Sequence, residues 1–228
     1  MKLTTTMLTT LLGAAVLSLA TPAAADPCPS NAVCIRDVDC DTTSAASAGL
    51  NQFFDGGVSA ETSYDWYVRE CRAVTQLPFY SVPIQGTVAA SEDFIVTGIA
   101  PGTPLTIHAR ARVVAHASWT GAYTPLTHAK GWLEKAGAGH VEAVAVAGYA
   151  DPQVSIDEIL SLDFPTLAGQ MFRLSMGAES ESREGGSMAT VTLSFEGLPP
   201  GAQVYSCQVG PPVPTRPATW GGLKLRYR

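Results

Sequence analysis

The chain has 228 residues, 46% of them hydrophobic and 15% charged, with a formal net charge of −6. The charge is spread without basic blocks, which disfavours nucleic acid and anionic membrane surfaces as partners, because both need clustered Lys and Arg to displace counterions. The length suits one domain with a sizeable core, and after the N-terminal segment no apolar run reaches the roughly 18 residues needed to span a bilayer.

The N-terminus has the pattern of a secretory signal over residues 1–25: Lys2 as the positive start, Met7 to Leu19 as the apolar stretch, and Ala23-Ala24-Ala25 as the small-residue cleavage site. An exported protein, extracellular, cell-surface or periplasmic, is the expectation, and disulfides are permitted in such compartments. Five cysteines are then available, Cys28, Cys34, Cys40, Cys71 and Cys207. The expected pattern is one bridge among Cys28, Cys34 and Cys40 and a second from Cys71 to Cys207, with one thiol left over. Residues 26–49, rich in Cys, Asp, Ser and Ala, form a disulfide-pinned irregular lead-in.

Residues 50–209 follow with short apolar segments of period two. Leu50 to Phe54 and Tyr64 to Cys71 are separated by the turn Asp55-Gly56-Gly57, and Gly86 to Ser91 and Phe94 to Gly98 make a hairpin about Ser91-Glu92-Asp93. Leu105, Ile107, Ala109, Ala111 and Val113 alternate with Thr106, His108, Arg110 and Arg112, the clearest half-buried strand of the chain. Trp119 to Gly139 looks like loop, with room for one helical turn over Leu126 to Lys135. His140 to Tyr149 and Val154 to Phe164 are strands. Phe172, Leu174, Met176 and Ala178 alternate with polar neighbours, as do Ala189, Val191, Leu193 and Phe195, and the charged, Ser-rich stretch Glu179 to Ser187 between them predicts a protruding loop. Pro199-Pro200-Gly201 forces a corner before Val204 to Cys207. Many short strands with turn signals and almost no helical period indicate an all-β fold, an antiparallel β-sandwich of jelly-roll or immunoglobulin-like type. Residues 210–228 are a Pro-rich spacer and a short amphipathic tail, with Trp220, Leu223 and Tyr227 on one face, suited to sorting or docking.

Glu92 to Gly98, Pro101 to Pro104, the Gly197-Leu198-Pro199-Pro200-Gly201-Ala202 corner, Ser206-Cys207-Gln208 and the closing Trp220-Gly221-x-Leu223-Lys224-x-x-Tyr227-Arg228 together resemble a group of uncharacterised secreted bacterial β-sandwich proteins. The hairpin order is also similar to the ectodomains of PEP-CTERM-type surface proteins, without their hydrophobic anchor. The resemblance implies an extracytoplasmic β-sandwich and brings no activity, cofactor or catalytic residue with it.

Candidate chemistry is sparse. Asp37, Asp39 and Asp41 have the spacing that opens a calcium loop, but Thr42 and Ala48 stand where such a loop needs Gly and Glu, so calcium is set against a solvated acidic turn. His108, Arg110 and Arg112 make a cationic stripe, either a seat for an acidic ligand or a wet face paired with carboxylates on the next strand. Trp119 and Trp132, placed on loops, are the candidates for a sugar-stacking surface. No Gly-x-Ser-x-Gly or His-Glu-x-x-His motif is present. The leading expectation is a non-enzymatic exported protein with a structural, adhesive or assembly role, whose partners are glycans or cell-surface proteins. A carbohydrate-binding module is the alternative and a secreted hydrolase the third.

Overall fold

The structure, a computed structural model, describes residues 31–35, 39–43, 45–78, 83–121 and 126–209. The signal segment, Cys28, Asp37 and the tail with Trp220, Leu223 and Tyr227 lie outside the described residues. Thirteen strands occur in them: β1 (Asn31–Ile35), β2 (Asp39–Thr43), β3 (Ser47–Phe54), β4 (Val58–Asp65), β5 (Glu70–Leu77), β6 (Ile84–Thr97), β7 (Pro104–Trp119), β8 (Thr127–Lys135), β9 (Gly139–Ala147), β10 (Gln153–Leu167), β11 (Met171–Ser182), β12 (Gly185–Glu196) and β13 (Gln203–Ser206). They form two sheets, and every pairing is antiparallel. The first sheet has the order β2-β1-β6-β11-β8-β9, with β13 also paired to β6, and the second has the order β10-β7-β12-β5-β4-β3. The fold is therefore an antiparallel β-sandwich, as the period-two pattern indicates.

Alternation dictates which side chains meet between the sheets. Ile107, Ala109, Ala111 and Val113 of β7 and Ala189, Val191 and Leu193 of β12 are buried opposite Phe172, Leu174, Met176 and Ala178 of β11. Along β11 the interior changes character. At its start, Phe172 lies 5.8 Å from Phe94, which in turn meets Trp66 at 5.8 Å and Phe195 at 5.2 Å. At its end, Ser180 and Ser182 join Thr75 and Ser187 in a buried hydroxyl cluster, with Thr75 Oγ1 2.7 Å, 2.8 Å and 3.0 Å from the three serine oxygens.

Several sequence expectations are corrected. The lead-in is not irregular, since β1 and β2 run within it. Tyr64 to Cys71 is two strands joined by a turn: β4 ends at Asp65, Trp66 is buried, Tyr67 and Val68 are exposed, and Arg69 takes a positive φ of 55°. The stretch 179–187 does not protrude, because β11 continues to Ser182 and β12 resumes at Gly185. Its serines point inward to the hydroxyl cluster and Glu179 and Glu181 point outward, so a polar composition still obeys the strand period. Gly185 makes the tight return possible: at φ 131° a side chain there would run into the Ser118 carbonyl.

Glu92 does not cap a hairpin. It lies inside β6, on the inward face, fully buried. Its Oε1 accepts the Gln208 backbone N–H at 3.0 Å, and the Cys207 N–H donates to the Asp93 carbonyl at 2.8 Å, so this strand holds the end of the described chain. Burial pushes the Glu92 carboxyl above its ordinary value, against hydrogen bonds from Gln208, Ser206 and Cys207 and with a smaller push in the same direction from Asp93.

The Cys71–Cys207 bridge does not form. Cys71 is a free thiol, wholly buried on the inward face of β5, with its Sγ 3.8 Å from the Met176 carbonyl oxygen, while Cys34 and Cys207 are each disulfide-bonded. The two sulfurs do not meet because Cys71 points into the core between the sheets, whereas Cys207, just after β13, is exposed. Burial, and behind it Glu70, drives the Cys71 thiol far above its ordinary value and keeps it protonated. Titration of the native protein with a thiol reagent should therefore give no fast reaction at Cys71, and labelling there should appear on unfolding; fast native labelling at Cys71 contradicts the placement.

A carboxyl that binds its proton more tightly when folded contributes its full stability below the unfolded-state value, about 4.3, and loses it as pH rises through the folded value. Denaturant midpoints measured from pH 4 upward should therefore fall for the native protein relative to Glu92→Gln. Parallel curves for the two proteins would contradict the assignment.

Candidate functional site

The cationic stripe is where alternation puts it, on the outer face of β7, and the neighbouring strands neutralise it. Arg112 makes a two-pronged contact with Asp157 of β10 at 2.8 Å and 2.6 Å, and Arg110 reaches Asp163 at 2.6 Å and Glu196 of β12 at 3.4 Å. His108 Nδ1 lies 3.1 Å from the same Asp163. Arg110 holds the Asp163 carboxyl below its usual range, and Arg112 does the same for Asp157. Each guanidinium already has a carboxylate, so the stripe is a wet face paired across strands. A shallow hollow of about 600 Å³ beyond its end is lined by residues that include His116, Ser118, Gly186 and Met188, and nothing in it singles out a ligand.

Asp39 and Asp41 fall in β2, opposite Ile35 and Val33 of β1, so their backbone is strand and not the loop a calcium site of that spacing needs. Among the described residues no group of three or more His, Cys, Asp or Glu side chains is placed to hold a metal ion.

Neither tryptophan of the expected sugar-stacking surface is on a loop. Trp119 ends β7, is 9% exposed, and has its ring edge against Tyr149 at 6.2 Å. It is a core residue with an exposed tyrosine over it. Trp132 is different: the segment expected to be loop or helical turn is strand β8, with Thr127, Ala129, Gly131 and Leu133 facing in and His128, Lys130, Trp132 and Glu134 facing out. At Gly131 the facing sheet comes close, and a Cβ there would strike the side chains of Val113 and Val191.

On the outer face the indole of Trp132 lies across Gly177 of the adjacent strand β11, its cross-strand partner. A Cβ at Gly177 would overlap the six-membered ring and would also press on the Val88 carbonyl oxygen. The glycine thus lets a bulky aromatic fold down onto the sheet, leaving it half-buried. Polar groups surround it. Lys130 Nζ sits 5.9 Å from the ring centroid and 3.1 Å from Glu179, and Glu179 also takes His128 at 2.9 Å. His128, then Lys130, hold the Glu179 carboxyl below its ordinary value against a burial effect of opposite sign. On the other side His140 bridges Glu134 and Glu142 at 3.4 Å and 3.5 Å. An aromatic face with hydrogen-bonding groups on both sides can stack the apolar face of a ring and bond its polar edge.

No protein-family model matches the chain, and no curated protein matches it. Among solved structures it is similar to TmCBM61 in complex with β-1,4-galactotriose, at 9% identity over 66% of this chain and 83% of that one, with a TM-score of 0.29. It is also similar to the enzymatically active domain of bacteriophage CBA120 tailspike protein 4, at 12% identity and TM-score 0.23, covering 66% of this chain and 19% of that one. A structure from work on the promiscuous specificity of carbohydrate-binding modules of the β-sandwich superfamily gives 11% identity, 75% and 86% coverage and a TM-score of 0.20. Likeness at these scores carries nothing about function.

Gly177→Ala tests the packing beneath the indole. Part of the clash is with backbone, which a rotamer change cannot relieve, so unfolding by denaturant should show a loss of about 1–3 kcal/mol. A neutral substitution would mean that neither the indole nor the Val88 carbonyl crowds this position.

Proposed function

We propose that this chain is an exported, non-enzymatic β-sandwich module that works at the cell surface or outside the cell by binding a glycan on the outer face of its first sheet. The observation that carries the reading is Trp132, laid over Gly177 and left half-exposed on the outer sheet face. A pyranose ring presents C–H groups on one face and hydroxyls around its edge. The indole answers the first, and Lys130, Glu179, Ser175 and Glu134, its neighbours on β8 and β11, answer the second. Binding rather than turnover is favoured because the nearest carboxylates are engaged by His128, Lys130 and His140. An adhesive or assembly role fits a module whose contribution is recognition.

A glycan array followed by calorimetry on the hits tests this. Trp132→Ala should weaken binding at least tenfold, which is about 1.4 kcal/mol, with the fold intact by circular dichroism. Trp132→Phe should retain part of the affinity, because it keeps an aromatic face. An array without hits, or unchanged affinity in Trp132→Ala, would contradict the proposal.

A further inference from the structure

The strand register extends the Trp132 site across the sheet. Trp132 is opposite Gly177, Gly177 is opposite Ala89 of β6, and Ala89 is opposite Ala32 of β1. Ala89 is exposed on that face. On one side of this line the register places Lys130, Glu179 and Thr87, with the Lys130–Glu179 ion pair at 3.1 Å. On the other it places Glu134, Ser175 and Ser91, with the two serine hydroxyls 2.8 Å apart. The indole therefore stands at one end of a path bounded by hydrogen-bonding side chains on both sides, running perpendicular to the strands. From β8 to β1 is three inter-strand steps, about 14 Å, which is the span of roughly three pyranose units.

Charge selects the chemistry of what lies there. Glu134, Glu142, Glu179 and Glu181 face Lys130, Arg183 and the imidazoles of His128 and His140, with Lys130 already paired to Glu179 and Arg183 to Glu181. A chain of uronates would meet carboxylates at both sides of the aromatic ring, where Lys130 and Arg183, among the described residues, are already held by Glu179 and Glu181.

We infer that the ligand of the Trp132 site is a neutral, linear glycan that lies across strands β8, β11, β6 and β1, between the Lys130–Glu179 and Ser175–Ser91 walls. This rests on the reading of Trp132 as a stacking platform. The indole takes one sugar ring and the remaining units continue over Ala89.

The test uses the mature chain with linear gluco-, galacto-, manno- and xylo-oligosaccharides of one to six units, and with oligogalacturonates of the same lengths. At least one neutral series should bind, its affinity rising to about three units and then levelling, and oligogalacturonates of equal length should bind at least tenfold more weakly. Ala89→Phe, and Ala89→Lys as a second variant at this exposed position, should cut trimer affinity at least tenfold and remove the rise of affinity with length. If Trp132→Ala abolishes binding but both Ala89 variants keep the full length dependence, the platform stands and the cross-strand path is wrong. Equal or tighter binding of the galacturonates overturns the neutral assignment. If no neutral series binds, or Trp132→Ala changes nothing, the platform falls and the path with it.

Discussion

Where β8 crosses the facing sheet, Gly131 presents no side chain and the branched side chains of Val113 and Val191 take up the space it leaves. This contact fixes how closely the two sheets approach, and much of the rest follows from it. The inward positions nearby are alanines, Ala129 and Ala178 on one sheet and Ala111, Ala115 and Ala189 on the other. Larger residues would force the sheets apart and leave voids elsewhere, at a cost that interiors packed to crystal-like density do not tolerate. Trp132 follows Gly131 directly and projects from the opposite face, where Gly177 receives it.

The same strand period organises the polar interior. Aromatic mass gathers about Phe94 at one end of the sandwich and hydroxyls gather about Thr75 at the other, with β11 running from Phe172 to Ser182 between them. Glu92 is a further polar group inside. It is accommodated because the chain after β13 turns its amide groups toward the carboxylate instead of toward water.

The sequence carried the sandwich legibly wherever apolar inward residues alternate with polar outward ones. Leu105 to Val113, Phe172 to Ala178 and Ala189 to Phe195 could be assigned from alternation alone, and the pairing of Arg110 and Arg112 with carboxylates on a neighbouring strand was one of two readings open at that point. β8 was hidden because Thr127, Ala129 and Gly131 are small or polar, so a buried face looked like a loop. Residues 179–187 were hidden for the converse reason: buried serines have the composition of a turn. Trp132 was noticed as an aromatic, but its partnership with Gly177 depends on a pairing between residues 45 positions apart, which no local pattern encodes. The free state of Cys71 was out of reach for the same reason, since it depends on where each cysteine comes to lie in the folded chain.

The hydroxyl cluster has a consequence of its own. Thr75, Ser180, Ser182 and Ser187 own four hydroxyl protons, yet their oxygens make seven contacts within hydrogen-bond range among themselves and with the carbonyls of Thr75 and Ser187. At any instant at most four of those contacts are bonded, so the protons can be dealt out in more than one way. The heavy atoms are held in one arrangement while the hydrogens exchange among many, so this end of the core keeps orientational entropy that an aliphatic cluster lacks. Replacing one member removes a proton and an acceptor from every arrangement at once, which makes the four residues a single unit of variation.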